Sequence, residues 1–281
     1  MAVSFDRAKA YIYSYGMLWE RVLFGHLFEG TPLSHVHQCL ACYKNPDGGW
    51  GHGIEPDITT PVSHPRAMEF ALQIFRTTGM RANNLFNDAP EWLETNRNVD
   101  GSLLNPAHLL DYPCAPWWRA SCGQTSPASI VGNLVRLGIG TPIVLDSTSQ
   151  WVQDNLTLEQ LNSNDGLTLA YEAYDYFMNI DDFPQVERYR KAVIDNIIAL
   201  VDAAPEKAGC SFFLLAVRPE SPLAKAAPAA LKKRLLSYLK ATQTADGIWQ
   251  DEHELPHWYP WTTIVVLNAL KTYGVWTPKS D

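Results

Sequence analysis

The sequence is poor in charged residues and has no excess of basic ones. Asp, Glu, Lys and Arg make up 19% of the 281 residues, and the formal net charge at pH 7 is −8. Nucleic acids and anionic membrane surfaces bind clusters of Lys and Arg. The short basic run 232–234 lies in a helical pattern and is expected to face solvent. We therefore expect no nucleic-acid partner.

Long apolar runs and a secretory leader are also missing. No stretch approaches the roughly 18 apolar residues that cross a bilayer, and residues 1–6 do not begin a basic segment followed by an apolar one. The five cysteines are irregularly spaced, unlike a disulfide framework. The sequence therefore predicts a cytoplasmic protein with no membrane span, and it leaves the oligomeric state unknown.

Apolar and aromatic side chains, in contrast, are abundant. Hydrophobic residues make up 46% of the chain, and ten Trp, twelve Tyr and ten Phe are present. Such residues fill a core, and they also line pockets for small apolar substrates. We find no phosphate-binding loop, no dinucleotide-binding glycine motif, no nucleophile elbow and no Asp-rich magnesium-diphosphate motif. The sequence therefore predicts a small apolar substrate and no cofactor.

Apolar residues recur with the period of an α-helix over most of the chain. The best strand candidate, 142–145, is short, and no Gly- or Ser-rich linker divides the chain. We therefore predict an all-α protein with a single domain, 1–281. The predicted helical segments are 5–28, 33–43, 66–78, 86–96, 127–138, 148–161, 167–179, 186–203, 222–242 and 261–273.

A repeated turn punctuates these helices. A helix ends in Asp-Gly, and an aromatic residue or Leu follows, in 40–50, 92–103 and 238–249 and more weakly in 161–167. Asp accepts main-chain hydrogen bonds in such a turn, and Gly supplies a positive φ. We expect the following Trp or Leu to pack between neighbouring helices. A helix pair with its loops takes roughly 45 residues, so the chain accommodates about six helical hairpins. This number closes an α/α barrel (toroid); an open helical solenoid is the alternative.

The Asp-Gly-x-Trp turns resemble the repeat of squalene–hopene and oxidosqualene cyclases, which also occurs in protein prenyltransferase β subunits. Gln243, Gly247 and Trp249 give the best match, whereas the first turn has Asn45 where Gln is usual. The stretch 45–57 resembles a group of bacterial squalene-cyclase-like proteins of one barrel. The resemblance implies a single α/α toroid. Triterpene cyclases have two barrels and about twice this length, so a C30 polyene is not the expected substrate.

The segment 55–60 follows the first turn and resembles the Asp-x-Asp-Asp-Thr-Ala motif of class II cyclases. Asp57 falls on the middle position, whose acid protonates an alkene or epoxide in that family. Glu55 and Ile58 depart from the motif at its first and fourth positions. The resemblance makes Asp57 the leading catalytic acid. The alternative is that Asp57 caps the helix beginning near Pro65.

An acid that protonates carbon must be protonated and oriented in an apolar pocket, with neighbours that shape its pKa. His52, Glu55 and His64 are close enough in sequence to Asp57 to act in this way. Trp50, which ends the first turn, is a candidate substrate contact.

A second cluster, 111–124, combines Asp111, Cys114, Trp117, Trp118 and Cys122 in one loop. We assign Asp111 and the two tryptophans to substrate binding and the cysteines to catalysis. The cysteine pair resembles the cysteine-lined pocket of linalool dehydratase-isomerase, an α/α-barrel enzyme. Structural packing of both cysteines and both tryptophans is the alternative.

The same loop also has a weaker resemblance to the zinc site of protein prenyltransferases. The family's Asp, Cys and His ligands would correspond to Asp111, Cys114 and His257. Here the spacing is Asp-x-x-Cys rather than Asp-x-Cys, and the His context differs. We therefore predict no metal, with these three residues as the weak candidate ligands.

A third cluster follows the last turn at 253–262. His257 or Tyr259 could act as a base, and Trp258 and Trp261 could stabilise a carbocation by cation–π contact. A surface loop fixed by its aromatic side chains is the alternative. The acidic and aromatic helix face 171–176 is a fourth, weaker candidate.

These residues support three hypotheses. The first is an isomerase- or lyase-type enzyme of isoprenoid biosynthesis, which performs acid–base chemistry with Asp57. The second is a hydratase or dehydratase that uses Cys114 or Cys122 with Asp57 and His257. The third is a non-catalytic barrel that binds an apolar ligand or a partner protein.

Overall fold

The computed structural model describes residues 3–121, 124–163, 167–251 and 253–278. These residues form fifteen α-helices, and the one sheet among them has two residues per strand, so the all-α prediction is confirmed. The α-helices are α1 (Phe5–Tyr15), α2 (Leu18–Glu29), α3 (Leu33–Ala41), α4 (Pro65–Thr78), α5 (Ala89–Thr95), α6 (Pro116–Ser121), α7 (Ala128–Arg136), α8 (Pro142–Asn155), α9 (Leu158–Asn162), α10 (Leu167–Phe177), α11 (Val186–Ala203), α12 (Pro205–Leu215), α13 (Pro222–Ala226), α14 (Ala229–Ala241) and α15 (Tyr259–Thr272). Short 310 helices span Ala107–Asp111 and Pro256–Trp258, and strand β1 (Leu103–Leu104) pairs antiparallel with β2 (Gln124–Thr125).

The chain divides into two compact units. Unit 1 comprises Met1–Cys39, Thr77–Gly79 and Ile197–Asp281, and unit 2 comprises Leu40–Arg76 and Met80–Asn196. The predictions of a single domain and of a closed toroid remain predictions. No helix in the described part of the chain has the length and apolar character that a membrane crossing requires.

In unit 1, α15 is the central helix. Eleven of its fourteen residues are buried, as expected of a helix enclosed by others. It contacts α1, α2, α12 and α14. Trp261 of α15 packs against Trp19 of α2, with 5.6 Å between their ring centroids.

In unit 2, α7 and α10 form the closest helix pair. Gly132 makes this approach possible, because a Cβ atom at this position would overlap the main-chain carbonyl of Asp175 and lie 2.7 Å from the Cα atom of Tyr176. Small residues at a helix contact allow two backbones to approach closely, and α10 therefore lies directly on the main chain of α7.

Three of the four Asp-Gly turns have the same main-chain hydrogen bonds. In each, the first turn residue donates its N–H to the carbonyl four positions later and accepts from the N–H of the glycine. These first residues are Asn45, Asn98 and Thr244, and the glycines Gly48, Gly101 and Gly247 have φ values of 89°, 86° and 84°. The predicted turn geometry is thus confirmed. The fourth turn, at 161–167, includes residues 164–166, which lie outside the described residues.

The aligned turns correct one part of the sequence comparison. Gly48 is equivalent to Gly247, so the residue equivalent to Gln243 is Lys44, not Asn45. The Gln243 amide donates to the Gly247 carbonyl at 2.7 Å, and Arg97 donates to Gly101 at the same distance in the second turn. The expected packing of the following residue is confirmed, since Trp50, Leu103 and Trp249 are all buried.

Several helix boundaries differ from their predictions for local reasons. Segment 142–145 begins helix α8 rather than forming a strand, because Pro142 occupies the first helical turn and the Thr141 hydroxyl accepts from the Val144 N–H. Segment 5–28 divides after Tyr15 at Gly16, and segment 222–242 divides near Pro228. Segment 148–161 likewise divides between α8 and α9, and the prediction missed α6 and α12.

We expect Gly132→Ala to lower the free energy of unfolding by about 1–3 kcal/mol, because the added methyl group separates α7 from α10. Urea denaturation measures the change. Gly209→Ala in α12 is the matched control, since the nearest atom to its new Cβ is Leu235 Cδ2 at 3.6 Å. This control is expected to be neutral or to stabilise by up to about 1 kcal/mol. Equal stability of the two variants would contradict the proposed close contact.

Candidate functional site

The first Asp-Gly turn fixes both ends of the loop that follows it. The Asp47 carboxylate accepts from the Gly49 N–H at 2.9 Å and from the Ser63 hydroxyl at 2.7 Å. The indole N–H of Trp92 donates to its other oxygen at 3.3 Å. The main chain closes the loop further, because the His64 N–H donates to the Trp50 carbonyl at 3.0 Å. The two ends of the loop 51–62 are therefore held close together in unit 2.

This loop pairs with the second cluster that the sequence singled out. Ile58 and Cys114 form an isolated antiparallel bridge. The Ala115 N–H donates to the Asp57 carbonyl at 2.9 Å, and the Thr59 N–H and hydroxyl both donate to the Pro113 carbonyl. The pairing brings the candidate acid Asp57 and the candidate thiol of Cys114 onto adjacent strand-like segments.

Glu55 is the most perturbed acid of the loop. It is 6% exposed, and its Oε2 atom is buried without a hydrogen-bond partner. Burial raises the pKa of Glu55 well above its ordinary value, and the nearby Asp57 carboxylate raises it further. Arg66 and the N–H of Asp57 oppose this shift only in part. Glu55 is therefore a carboxylic acid that keeps its proton above the pH at which ordinary glutamates lose theirs.

Arg66, in the first turn of α4, is shared between two further acids. One of its Nη atoms lies 2.6 Å from Glu69 and 3.2 Å from Glu172 of α10. Its guanidinium also lies over the Trp118 ring, 5.2 Å from the ring centroid. Burial raises the pKa of Glu172, and Arg66 and a hydrogen bond from Ser126 act in the opposite direction.

The cluster thus combines four carboxyl groups with one guanidinium. We call Glu55, Asp57, Arg66, Glu69 and Glu172 the acid cluster. Glu55, Asp57 and Glu172 are buried and Glu69 is half-buried. A single positive charge does not compensate four carboxylates in this environment, so protonation of some carboxyl groups is the less costly state. Neighbouring carboxyl groups with different environments are the arrangement that supplies an acid and a base to one reaction.

His64 adjoins the acid cluster but does not take up a proton near neutral pH. Burial lowers its pKa to about 3, and Arg66 contributes to the decrease. The Nδ1 atom accepts from the Ala67 N–H at 3.3 Å, so the proton of the neutral ring lies on Nε2, which is buried without a partner. His64 thereby caps α4. The alternative that Asp57 also caps this helix stays a prediction.

Two other predicted residues of the first turn have structural contacts. His52 is exposed, has a φ of 57°, and its Nε2 atom lies 2.8 Å from Asn45 Oδ1. Trp50 is fully buried and stacks on Phe86, with ring centroids 4.9 Å apart. Trp50 therefore packs in the core of unit 2.

The second cluster is only partly buried. Asp111 is exposed and Trp117 is 41% exposed, whereas Cys114 and Trp118 are half-buried. Of these, Trp118 contacts the acid cluster through Arg66. Cys122, the second cysteine of the predicted pair, lies outside the described residues.

The weak metal candidates find no support. Within the described ranges, no three His, Cys, Asp or Glu side chains are grouped so that they could hold a metal ion, and this includes Asp111, Cys114 and His257.

The third cluster belongs to unit 1. His257 is exposed on a 310 helix, and its ring centroid lies 6.2 Å from that of the half-buried Trp258. Tyr259 and Trp261 are buried at the start of α15.

Sequence reasoning missed a buried acid in unit 1. Glu20 is 1% exposed, accepts from the Met17 N–H at 2.6 Å, and has an Oε1 atom with no partner. Burial raises its pKa to about 8, despite hydrogen bonds from the main chain of Met17 and Trp261. Its place at the third position of α2, after a turn at Gly16, was the available signal for a capping role.

The sequence pattern of α10 also contains two buried acids that ranked only as a weak candidate. Glu172 and Asp175 stand three positions apart in an otherwise apolar helix, and both are buried in ion pairs with arginines of α4. Acids spaced in this way inside an apolar pattern lie on one helix face and need buried partners. The fourth candidate, 171–176, contained this signal.

No protein-family model matches the sequence, and no curated protein matches it. The resemblance to terpenoid cyclases therefore rests on the turns and on segment 55–60.

Glu20→Gln is expected to change how stability depends on pH. The folded protein holds the Glu20 proton up to about pH 8, whereas the unfolded chain releases it near its ordinary pKa of 4.5. The contribution of the Glu20 proton to the free energy of unfolding is therefore fully present below pH 4.5 and is lost as pH rises through about 8. The loss amounts to at most about 1.4 kcal/mol per pH unit between them.

Denaturation with urea at several pH values from about 5 to about 8 measures this effect. We expect the Gln variant to become more stable relative to the parent protein as pH rises. Glu220→Gln, at an exposed position of unit 1, is the control and should track the parent protein. Parallel curves for Glu20→Gln and the parent would contradict a raised pKa for Glu20.

Proposed function

We propose that this chain is an acid–base enzyme that isomerises or cyclises a small isoprenoid or other apolar polyene. The observation that carries the proposal is the buried Glu55 carboxyl, whose Oε2 atom has no hydrogen-bond partner and whose pKa is raised by burial and by Asp57. Proton transfer to carbon requires a carboxyl group that stays protonated near neutral pH. The resemblance of segment 55–60 to the acid motif of class II cyclases supports the substrate class.

The Oε2 atom without a hydrogen-bond partner and the raised pKa favour Glu55 over Asp57 as the proton donor. Glu55 gives its proton to one carbon of a C=C bond, whose π electrons form the new C–H bond and leave a carbocation on the neighbouring carbon. A carboxylate of the acid cluster, with Asp57 as the nearest to Glu55 in sequence, then accepts a proton from an adjacent carbon. The enzyme thus regains the proton it has given, and the double bond has moved. In a cyclisation, a second C=C bond of the substrate first attacks the carbocation; its π electrons form the new C–C bond, and the positive charge moves to the carbon whose neighbour then loses the proton.

The proposal includes the single α/α toroid that the turn repeat predicts. Three turns with equivalent hydrogen bonds and buried Trp or Leu residues support it. In such a fold the inner helices surround a cavity for the apolar substrate.

Glu55→Gln is expected to lower proton transfer to carbon by at least about a hundredfold, since the amide has no acidic proton to give. The assay incubates C10 and C15 prenyl alcohols and hydrocarbons with the protein in D2O and measures deuterium uptake and new products by mass spectrometry. Asp57→Asn should also lower the rate while leaving the melting temperature unchanged within about two degrees.

Glu220→Gln, which removes an exposed acid, should keep the full rate. Equal deuterium uptake by Glu55→Gln and the parent protein would contradict the role of Glu55. A lack of uptake into any of these substrates by the parent protein would contradict the substrate class.

The pairing of Ile58 with Cys114 favours a second candidate, a hydratase or dehydratase that uses the Cys114 thiol beside Asp57. In that case Cys114→Ala should abolish interconversion of a C10 tertiary alcohol and its alkene. Cys42→Ala is the matched control, because Cys42 is an exposed cysteine of unit 2. Full activity of the Cys114 variant would exclude the thiol from the reaction.

A further inference from the structure

A cavity of about 140 Å³ lies in unit 1, beside the last Asp-Gly turn. Helices α12, α14 and α15 and the segment 249–251 contribute its lining. Its volume equals that of about five water molecules in the liquid, so it has room for a ligand of about five non-hydrogen atoms. We call it the small cavity. The reaction proposed for Glu55 uses none of its lining residues.

Trp249 forms a fixed wall of the small cavity. Its indole N–H donates to the Leu239 carbonyl at 2.6 Å, and its main-chain N–H donates to the Thr263 hydroxyl at 3.1 Å. Because both polar groups of Trp249 already have partners, the ring is held in place between α14 and α15. Leu239 and Val266 add apolar surface to the lining. The small cavity therefore has a preformed apolar side, as binding sites for small molecules usually do.

The hydroxyl of Thr262 is an unused hydrogen-bonding group in the small cavity. Thr262 lies in the first turn of α15, is 5% exposed and lines the cavity. Within the described part of the chain, its hydroxyl makes no hydrogen bond. A buried polar group without a partner is costly, and the cavity leaves room beside this one for a ligand atom.

The charged side chains of the lining are acidic. The described lining includes Glu206 of α12 and Asp251, and it includes no Lys, Arg or His. Asp251 is half-buried, and its two carboxylate oxygens accept from the N–H groups of His253 at 2.9 Å and Leu255 at 2.6 Å. These contacts hold the carboxylate in place. A cavity lined by charges of one sign concentrates ligands of the opposite sign, so the small cavity favours a cation over an anion.

The lining indicates which kind of cation fits. A primary ammonium group has a positive charge, three N–H donors and no acceptor. The Asp251 carboxylate and the Thr262 hydroxyl oxygen can both accept from it, and bonds of N–H⁺ to a carboxylate are among the stronger hydrogen bonds in proteins. The apolar side formed by Leu239, Trp249 and Val266 can cover a short alkyl chain. An uncharged alcohol would leave the negative charge of the cavity unused.

We propose that the small cavity binds a short primary alkylammonium ion, whose ammonium group donates to Asp251 and Thr262. The volume limits this ligand to about five non-hydrogen atoms. The proposal is independent of the reaction proposed for Glu55, which belongs to unit 2.

Isothermal titration calorimetry on the full chain tests the site with n-butylamine, 1-butanol and butyrate at pH 7 and matched ionic strength. The three probes have nearly the same size and differ in charge. We expect butylamine to bind at least about tenfold more tightly than 1-butanol, as one charge-assisted hydrogen bond contributes about this factor. Butyrate should bind more weakly than 1-butanol. A lack of butylamine binding, or equal affinity for butylamine and 1-butanol, would overturn the proposal.

Two variants locate the bound amine. Thr262→Val keeps the shape of the side chain and removes the unused hydroxyl, so it should weaken butylamine binding at least about fivefold. Thr277→Val, at an exposed position of unit 1, is its matched control and should bind as the parent protein does. Glu206→Gln removes a negative charge from the exposed side of the lining and should weaken butylamine binding about two- to fivefold.

Glu220→Gln, also an exposed acid of unit 1, is the control for Glu206→Gln and should leave the affinity unchanged. Circular dichroism establishes that each variant is folded, and Glu206→Gln tests the site even where Thr262→Val does not fold. Unchanged butylamine affinity in folded Thr262→Val, or in Glu206→Gln, would overturn the proposal.

A further titration with Nα-acetyl-lysine amide distinguishes two sources of the ammonium group. Its side chain ends in the same butylammonium group but is attached to a peptide backbone. Tighter binding than that of butylamine identifies the lysine side chain of a peptide as the ligand, and weaker binding identifies a free amine.

Discussion

The Asp47 carboxylate is the constraint on which the candidate site depends. It holds the Asp-Gly turn through Gly49, the start of the next helix through Ser63, and helix α5 through the Trp92 indole. These three hydrogen bonds join segments that the sequence separates by as many as 45 positions. Because Gly48 has a positive φ, the chain reverses tightly enough for one carboxylate to reach all three. The loop that carries Glu55 and Asp57 therefore begins and ends at the turn that Asp47 anchors.

Two ion pairs of unit 2 join helix α4 to helix α10. Arg66 and Arg76 are ten positions apart on α4, about 15 Å along the helix axis, whereas Glu172 and Asp175 are three positions apart on α10, about 4.5 Å. Each arginine nevertheless reaches one of these acids, so the two long side chains converge on one stretch of α10. Buried ion pairs of this kind add little net stability compared with apolar packing. Two such pairs on one face of α10 show that unit 2 buries charged side chains as well as apolar ones.

Much of the fold can be predicted from the sequence because its signals are local. Helical periodicity identifies most of the helices, and the Asp-Gly pairs identify turns whose geometry the structure confirms. The errors arise where a local signal has two meanings. The apolar run after Thr141 fits a strand by its residues, but the proline and the Thr141 cap begin a helix. The side chain at position 64 caps α4 with a ring nitrogen, a role that composition alone does not assign to histidine.

The candidate site is less predictable, since its contacts join distant parts of the chain. Segment 55–60 is visible in the sequence, but Glu172, which pairs with Arg66 of the acid cluster, is more than 100 positions away, and only the tertiary structure places it there. Asp57 leads by resemblance and is about as buried as Glu55, whereas the Oε2 atom without a hydrogen-bond partner and the raised pKa favour Glu55. A motif fixes the position of an acid group along the chain, and the surrounding tertiary structure decides which carboxyl group of the motif keeps its proton.

The most direct test of the proposed role of Glu55 is a measurement of its pKa in the folded protein. Carboxyl 13C NMR of glutamate-labelled protein, with the Glu55 resonance assigned from its loss in Glu55→Gln, follows this group through a pH titration. The account predicts a midpoint well above the ordinary glutamate pKa of 4.5, because the carboxyl group is buried beside Asp57. A midpoint at or below 4.5 would show that Glu55 is ionised at neutral pH and would contradict its role as a proton donor.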